Sequence, residues 1–236
     1  MALMPEDGQR RVLVLGSSPR HDGNSWMLTE ALIGGARKAG HAAEAVDLGE
    51  AMSGGMLRDC RKCRQSNGSC SIDDSLERVV YEQLANADAL VYATPLYWYG
   101  MSATLKNFFD RMICYMSASN PRSTEVVEKL RGKRVALLIS SEERYPASPM
   151  SLILQIQEIS RYMYQPFVGV VQGFGNKRGE VQYDPLDPVG AAAKLGADIF
   201  DLYHSDYQVD TDRPNAVWEE ARQSGLDLDE SPYADI

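Results

Sequence analysis

The stretch Val12-Leu13-Val14-Leu15-Gly16-Ser17-Ser18-Pro19-Arg20-His21-Asp22-Gly23-Asn24-Ser25 restricts the fold more than any other part of the chain. Its apolar run has no alternation, which reads as a strand buried on both faces, and such strands belong to parallel sheets covered by helices on each side. From Asn24 onward the pattern turns helical, with Asn24 or Ser25 as the capping residue. The loop between them gathers Ser17, Ser18, Arg20, Asn24 and Ser25 within nine residues. Hydroxyls, one guanidinium and the free N–H groups of a helix start are what a phosphate needs.

Spacing excludes two familiar nucleotide loops. There is no G-x-x-x-x-G-K-[ST], so no lysine reaches a terminal phosphate and no hydroxyl is set for magnesium. There is no G-x-G-x-x-G either, and Asp47 at the end of the second strand reads as a helix cap or surface residue rather than a ribose ligand. A single monophosphate fits the loop.

The same rhythm recurs downstream. Strands are expected at 11–16, 41–48, 89–94, 134–140 and 167–172, with helices near 24–39, 73–86, 102–116, 148–164 and 188–204. Alternating strands and helices imply right-handed crossovers and one parallel sheet, and five strands suit the order 2-1-3-4-5 of a three-layer α/β sandwich. Ligands in such sheets sit beyond the carboxyl ends of the strands. That brings Thr94 to Gly100 and Ser140-Ser141-Glu142 toward the same end as the Ser/Arg loop. The last three read either as an ordinary turn before a helix or as a third set of ligand contacts.

A chain of 236 residues, 44% of them hydrophobic, suffices for one well-buried domain over 11–205. Residues 1–10 read as a disordered lead-in without an apolar signal core, and no apolar run is long enough for a membrane span, so a cytoplasmic location is expected. Of the net charge of −9, most comes from the tail 206–236, which holds nine acidic and two basic residues. The absence of a basic patch argues against nucleic acid as a partner. His21, His41 and His204 form no triad with a nucleophile, which leaves hydrolase chemistry without support.

G-S-S-P-R-x-x-G-N-S after a first strand resembles the flavin-phosphate loop of the flavodoxin-like NADPH-dependent FMN reductases, a family that includes iron–sulfur flavoproteins and quinone reductases. Thr94-Pro95-Leu96-Tyr97-Trp98-Tyr99-Gly100 is similar to the family's T-P-x-Y-x-G segment, and Ala103-Thr104-Leu105-Lys106-Asn107-Phe108-Phe109-Asp110-Arg111 to the helix after it. The resemblance implies a flavodoxin-like fold. It implies FMN held at its phosphate by Ser17, Ser18, Arg20, Asn24 and Ser25, and at its ring by Pro95, Leu96, Tyr97, Trp98, Tyr99 and Gly100, with Ser140, Ser141 and Glu142 as further contacts. It also implies NAD(P)H as donor, a small-molecule acceptor, turnover by ping-pong, and a homodimer or homotetramer. A flavodoxin-type carrier, or a dehydrogenase of one small biosynthetic intermediate, remains open. Arg20, Arg61, Lys62 and Arg64 are expected by the site, which favours an enzyme over a carrier with an acidic docking face.

Cys60, Cys63 and Cys70 resemble the family's C-x-x-C-x-x-C-x₆₋₇-C loop, but Ser66 stands where the third thiolate belongs and Cys114 lies far off on a helix. A cubane needs four thiolates and no histidine is near enough to complete a zinc site, so no metal is expected. Metal and sulfide analysis of the purified protein should find neither in stoichiometric amount, and Ser66→Cys is the substitution that would admit a cluster. About four irons per chain in the unaltered protein would overturn this.

Overall fold

The computed structural model describes residues 9–57 and 64–202. In chain order the elements are β1 (Arg11–Gly16), α1 (Asn24–Lys38), β2 (Ala42–Asp47), α2 (Leu48–Ala51), α3 (Leu76–Arg78) running into a π-helix (Val79–Leu84), β3 (Ala89–Pro95), α4 (Ala103–Met116), α5 (Ser123–Leu130), β4 (Arg134–Ser141), α6 (Met150–Tyr162), β5 (Phe167–Phe174), a 3₁₀ turn (Glu180–Tyr183) and α7 (Pro188–Asp198). The five strands pair in parallel in the order β2-β1-β3-β4-β5, the expected flavodoxin-like arrangement. Among the described residues no helix is long and apolar enough to cross a membrane.

The central strands are buried throughout because each supplies side chains to two cores. Leu13, Leu15, Leu90, Tyr92, Leu137 and Ile139 face the layer that contains α4 and α6. Val12, Val14, Val91, Ala93, Ala136 and Leu138 face α1 and α7. The second face carries smaller residues, and there α1 and α7 touch backbone to backbone. A Cβ added at Gly35 would lie 1.8 Å from the Ala193 carbonyl oxygen, and one at Gly196 would lie 2.1 Å from that of Leu32.

Three short elements were not legible in the pattern. Asp47 is the cap of α2, its Oδ1 accepting from the amides of Gly49 and Glu50. α5 falls between the helix expected near 102–116 and the strand expected at 134–140, and it buries only Val126 and Leu130, too few to register as a period. The 3₁₀ turn follows a β5 that runs two residues further than the apolar run suggests. Gln9 and Arg10, expected in the lead-in, are held by Gln9 Nε2 to the Gly40 carbonyl at 3.0 Å and by the Arg10 guanidinium over Phe200. Residues 1–8, 58–63 and 203–236, with Cys60, Cys63, His204 and the acidic tail, lie outside the described residues.

Residues of α4 clamp the long loop after α2. Asn107 accepts from the Leu57 amide and donates to the Gly55 carbonyl. Arg111, fully buried, makes a two-pronged ion pair with Asp74 at 2.6 and 2.9 Å. Burial alone would depress the guanidinium, and the Asp74 carboxylate outweighs it, so Arg111 is held above its usual range. Cys70 is buried with its sulfur 3.9 Å from Arg111 Nη2.

Two neighbouring glycines of α1 test the packing with opposite signs. A Cβ on Gly34 meets nothing within 4 Å. Gly34→Ala should therefore raise stability by roughly 0.5–1 kcal/mol through helix propensity, whereas Gly35→Ala should lower it by roughly 1–3 kcal/mol through overpacking. Urea unfolding of both variants reads this directly, and shifts of the same sign would contradict backbone contact between α1 and α7.

Candidate functional site

A cavity of about 600 Å³ opens at the carboxyl ends of β1, β3, β4 and β5. Its floor is the first turn of α1. The N-cap there is Gly23, which has no side chain to offer, and not Asn24 or Ser25 as the sequence suggests. Both of those side chains are engaged elsewhere. Asn24 Nδ2 donates to the carbonyls of Gly175 and Lys177, its Oδ1 accepts from the Val181 amide, and Ser25 Oγ shares a 2.7 Å hydrogen bond with Ser140 Oγ. The amides of Asn24, Ser25 and Trp26 consequently have no acceptor among the described residues. A helix start of this kind is a ready anion site.

Ser18 and Arg20 flank these amides. Ser18 Oγ accepts from the Arg20 amide, which leaves its own proton to donate. The Arg20 guanidinium is exposed and has no acidic partner among the described residues. Ser17 lies behind the site, not in it. Its Oγ donates to the Ala93 carbonyl and pairs with Ser102 Oγ, so its role is to bind the loop to β3 and α4. Gly16 keeps its missing side chain because Trp26 lies against it, 2.8 Å from where a Cβ would be, with Trp26 Nε1 donating to the Ser18 carbonyl.

Pro95, Leu96, Tyr97, Trp98 and Tyr99 form the next wall. Thr94 Oγ1 accepts from the Ser102 amide, and Ser102 caps α4 through the Leu105 amide, so the wall and the Ser/Arg loop share one hydrogen-bond network. Tyr97 and Gly100 exchange both backbone hydrogen bonds, closing a two-residue hairpin over Trp98 and Tyr99. Gly100 serves that closure and does not line the cavity. Trp98 and Tyr99 both have positive φ, 49° and 61°. Such a turn ordinarily takes Asn-Gly, and each bulky residue in this region carries strain of about 1–3 kcal/mol. The strain leaves Trp98 96% exposed at the cavity mouth, while Tyr99 donates to Glu143 Oε1 at 3.2 Å. The Glu143 carboxylate pushes the Tyr99 phenol up from its ordinary range.

Ser140, Ser141 and Glu142 line the third wall, at the end of β4. Ser141 Oγ accepts from Gln172 Nε2, and Leu96 donates its amide to the Ser140 carbonyl. The fourth wall, Gly175 to Arg178 beyond β5, has no counterpart in the sequence reading. Its signal was present in Gly-Asn-Lys-Arg-Gly at the carboxyl end of a strand, obscured because the apolar run stops at Gln172. Arg64 does not line the cavity, and its guanidinium donates to Ser117 and Ser119 just beyond the carboxyl end of α4. Arg61 and Lys62 lie outside the described residues.

The chain is similar to known proteins. Over 185 residues the chain is 26% identical to YwqN of Bacillus subtilis, a candidate NAD(P)H-dependent FMN-containing oxidoreductase by name, covering 78% of this chain and 96% of that one. It is 27% identical over 206 residues to an iron–sulfur flavoprotein of Archaeoglobus fulgidus, covering 85% and 83%. The NAD(P)H:quinone oxidoreductase of Methanothermobacter marburgensis superposes with a TM-score of 0.56 at 17% identity, over 84% of this chain and all of that one. A family model described as a flavodoxin-like fold matches residues 10–182. Because that match starts one residue before β1 and runs past the loop after β5, it takes in every wall of the cavity, and the chain belongs to this flavodoxin-like family.

Proposed function

We propose that the protein is an FMN-dependent oxidoreductase that passes reducing equivalents from NAD(P)H to a small acceptor such as a quinone or free flavin, donor and acceptor using one place in turn. The observation that carries this is the first turn of α1, whose three open amides face a cavity beside Ser18 and Arg20. The names of the relatives at 26% and 27% identity support the flavin and the nicotinamide donor. The donor set fits a monophosphate: amides and a hydroxyl to donate, and the Arg20 guanidinium without an acidic partner among the described residues.

When bound, FMN supplies the acceptance and delivery of hydride, which no side chain lining the cavity performs. The chain's part is to hold and to shield. Ser18, Arg20 and the α1 amides hold the phosphate. Pro95, Leu96 and Tyr97 present a flat apolar surface, and the amides of Trp98 and Tyr99, without acceptors among the described residues, are available to a polar ring edge. Trp98, free of the body at the mouth, offers the stacking surface for an incoming aromatic ring. A cytoplasmic location, where NAD(P)H is supplied, suits this activity, and the exposed Trp98 at the mouth, with the exposed Tyr145 and Met150 in the segment after β4, suits a homodimer or homotetramer.

Arg20→Ala should weaken FMN binding on the order of tenfold to a hundredfold, read by fluorescence titration, because a charge-assisted contact is worth roughly 1.5–3 kcal/mol. Unchanged affinity would remove Arg20 from the phosphate site.

Initial rates against NADH and NADPH, at several concentrations of a quinone or free flavin, should give parallel double-reciprocal lines if the two partners alternate at one place. Trp98→Ala should raise KM for both partners while FMN stays bound. Intersecting lines would mean two separate places, and no NAD(P)H consumption with any acceptor would mean a carrier.

A further inference from the structure

We infer that the loop leaving β5 is the second wall of the phosphate site and that Lys177 is the second cation on that phosphate, opposite Arg20. The inference rests on the FMN reading above and names residues that reading does not use. Asn24 is the first residue of α1, and its side chain makes three hydrogen bonds to this loop, at 2.8 Å to the Gly175 carbonyl, 3.1 Å to that of Lys177 and 3.2 Å from the Val181 amide. The backbone of Lys177 is thus one hydrogen bond away from the helix turn that presents the open amides. Contact is close enough that a Cβ on Gly175 would sit 2.8 Å from Asn24 Nδ2.

The charges around the loop are almost all engaged. Glu180 Oε2 accepts from the amides of Asn176 and Lys177 at 2.9 and 2.7 Å, which holds its carboxyl below the usual range. Asp22, from the Ser/Arg loop, is paired with Arg178 at 2.7 Å and ties the outer edges of the two loops together. That leaves Lys177, whose ammonium has no partner among the described residues and which lines the same cavity as Arg20. Both carboxylates beside this loop are spent, so Arg20 and Lys177, each without an acidic partner among the described residues, line one cavity with this helix start, and Glu142 and Glu143 line it from the end of β4. A phosphate monoester near neutral pH carries between one and two negative charges, and one cation from each side matches it.

The test is binding by the full-length protein stripped of flavin. FMN, riboflavin and inorganic phosphate are the probes, and Lys177→Gln, Lys177→Arg and Lys194→Gln the variants, the last a lysine on α7 paired with Asp198. Lys177→Gln should raise the Kd for FMN about tenfold, leave riboflavin unchanged and reduce competition by phosphate. Lys177→Arg should restore FMN binding, and Lys194→Gln should match the unaltered protein. Equal melting temperatures of the flavin-free forms would show that the loss is not one of folding. FMN affinity unchanged in Lys177→Gln overturns the inference. So does a rise in KM for NADPH but not NADH at constant FMN affinity, which would put Lys177 on the nicotinamide dinucleotide's extra phosphate. If the unaltered protein binds riboflavin as tightly as FMN, the phosphate site itself fails, and the FMN reading falls with it.

Discussion

The architecture of the cavity depends on how the first turn of α1 uses its polar side chains. In most helices an Asn or Ser at this position folds back onto the nearest amides and satisfies them. Here Asn24 reaches across to the loop after β5, and Ser25 reaches to Ser140 at the end of β4. The cap is left to a glycine. The helix start stays electropositive and open, and the same two side chains that could have closed it fasten two neighbouring strand ends around it. Binding capacity and tertiary organisation come from one arrangement.

A second network makes the opposite side rigid. Ser17, Ser102 and Thr94 connect β1, α4 and β3 through buried hydroxyls. None of the three presents itself to the cavity, yet they set where Ser18 and Pro95 stand relative to one another. Buried hydroxyls that are fully paired add rigidity at little net cost, whereas one left unpaired costs about 1–3 kcal/mol. That foundation is what allows the Trp98–Tyr99 hairpin to hold two aromatic residues at positive φ.

Most of the fold was legible in the sequence because its strands are continuous apolar runs between turn-forming residues, and the order 2-1-3-4-5 follows from five such runs and the handedness of their connections. The walls from β1, β3 and β4 were legible because short motifs mark them. What escaped was set by tertiary contact. Asn24 looks like a cap in one dimension and is a cross-link in three. Ser17 and Gly100 sit inside motifs but serve the scaffold behind the site. The loop after β5 was missed because polar Gln172 ends the apolar run while the strand's hydrogen bonds continue to Phe174.

Charge around the mouth bears on the choice between enzyme and carrier. A carrier docks by one face of uniform sign, and steering of that kind works over about a Debye length. This rim is divided instead. Glu142 and Glu143 stand on the β4 side, and Arg20, Lys177 and Arg178 on the side of α1 and β5. A divided rim offers a protein partner no coherent field. It matches the proposed site, in which the basic wall takes the phosphate of the flavin and Trp98 stands at the mouth for a small aromatic partner. The division of the rim therefore supports the proposed turnover of small molecules over docking between proteins.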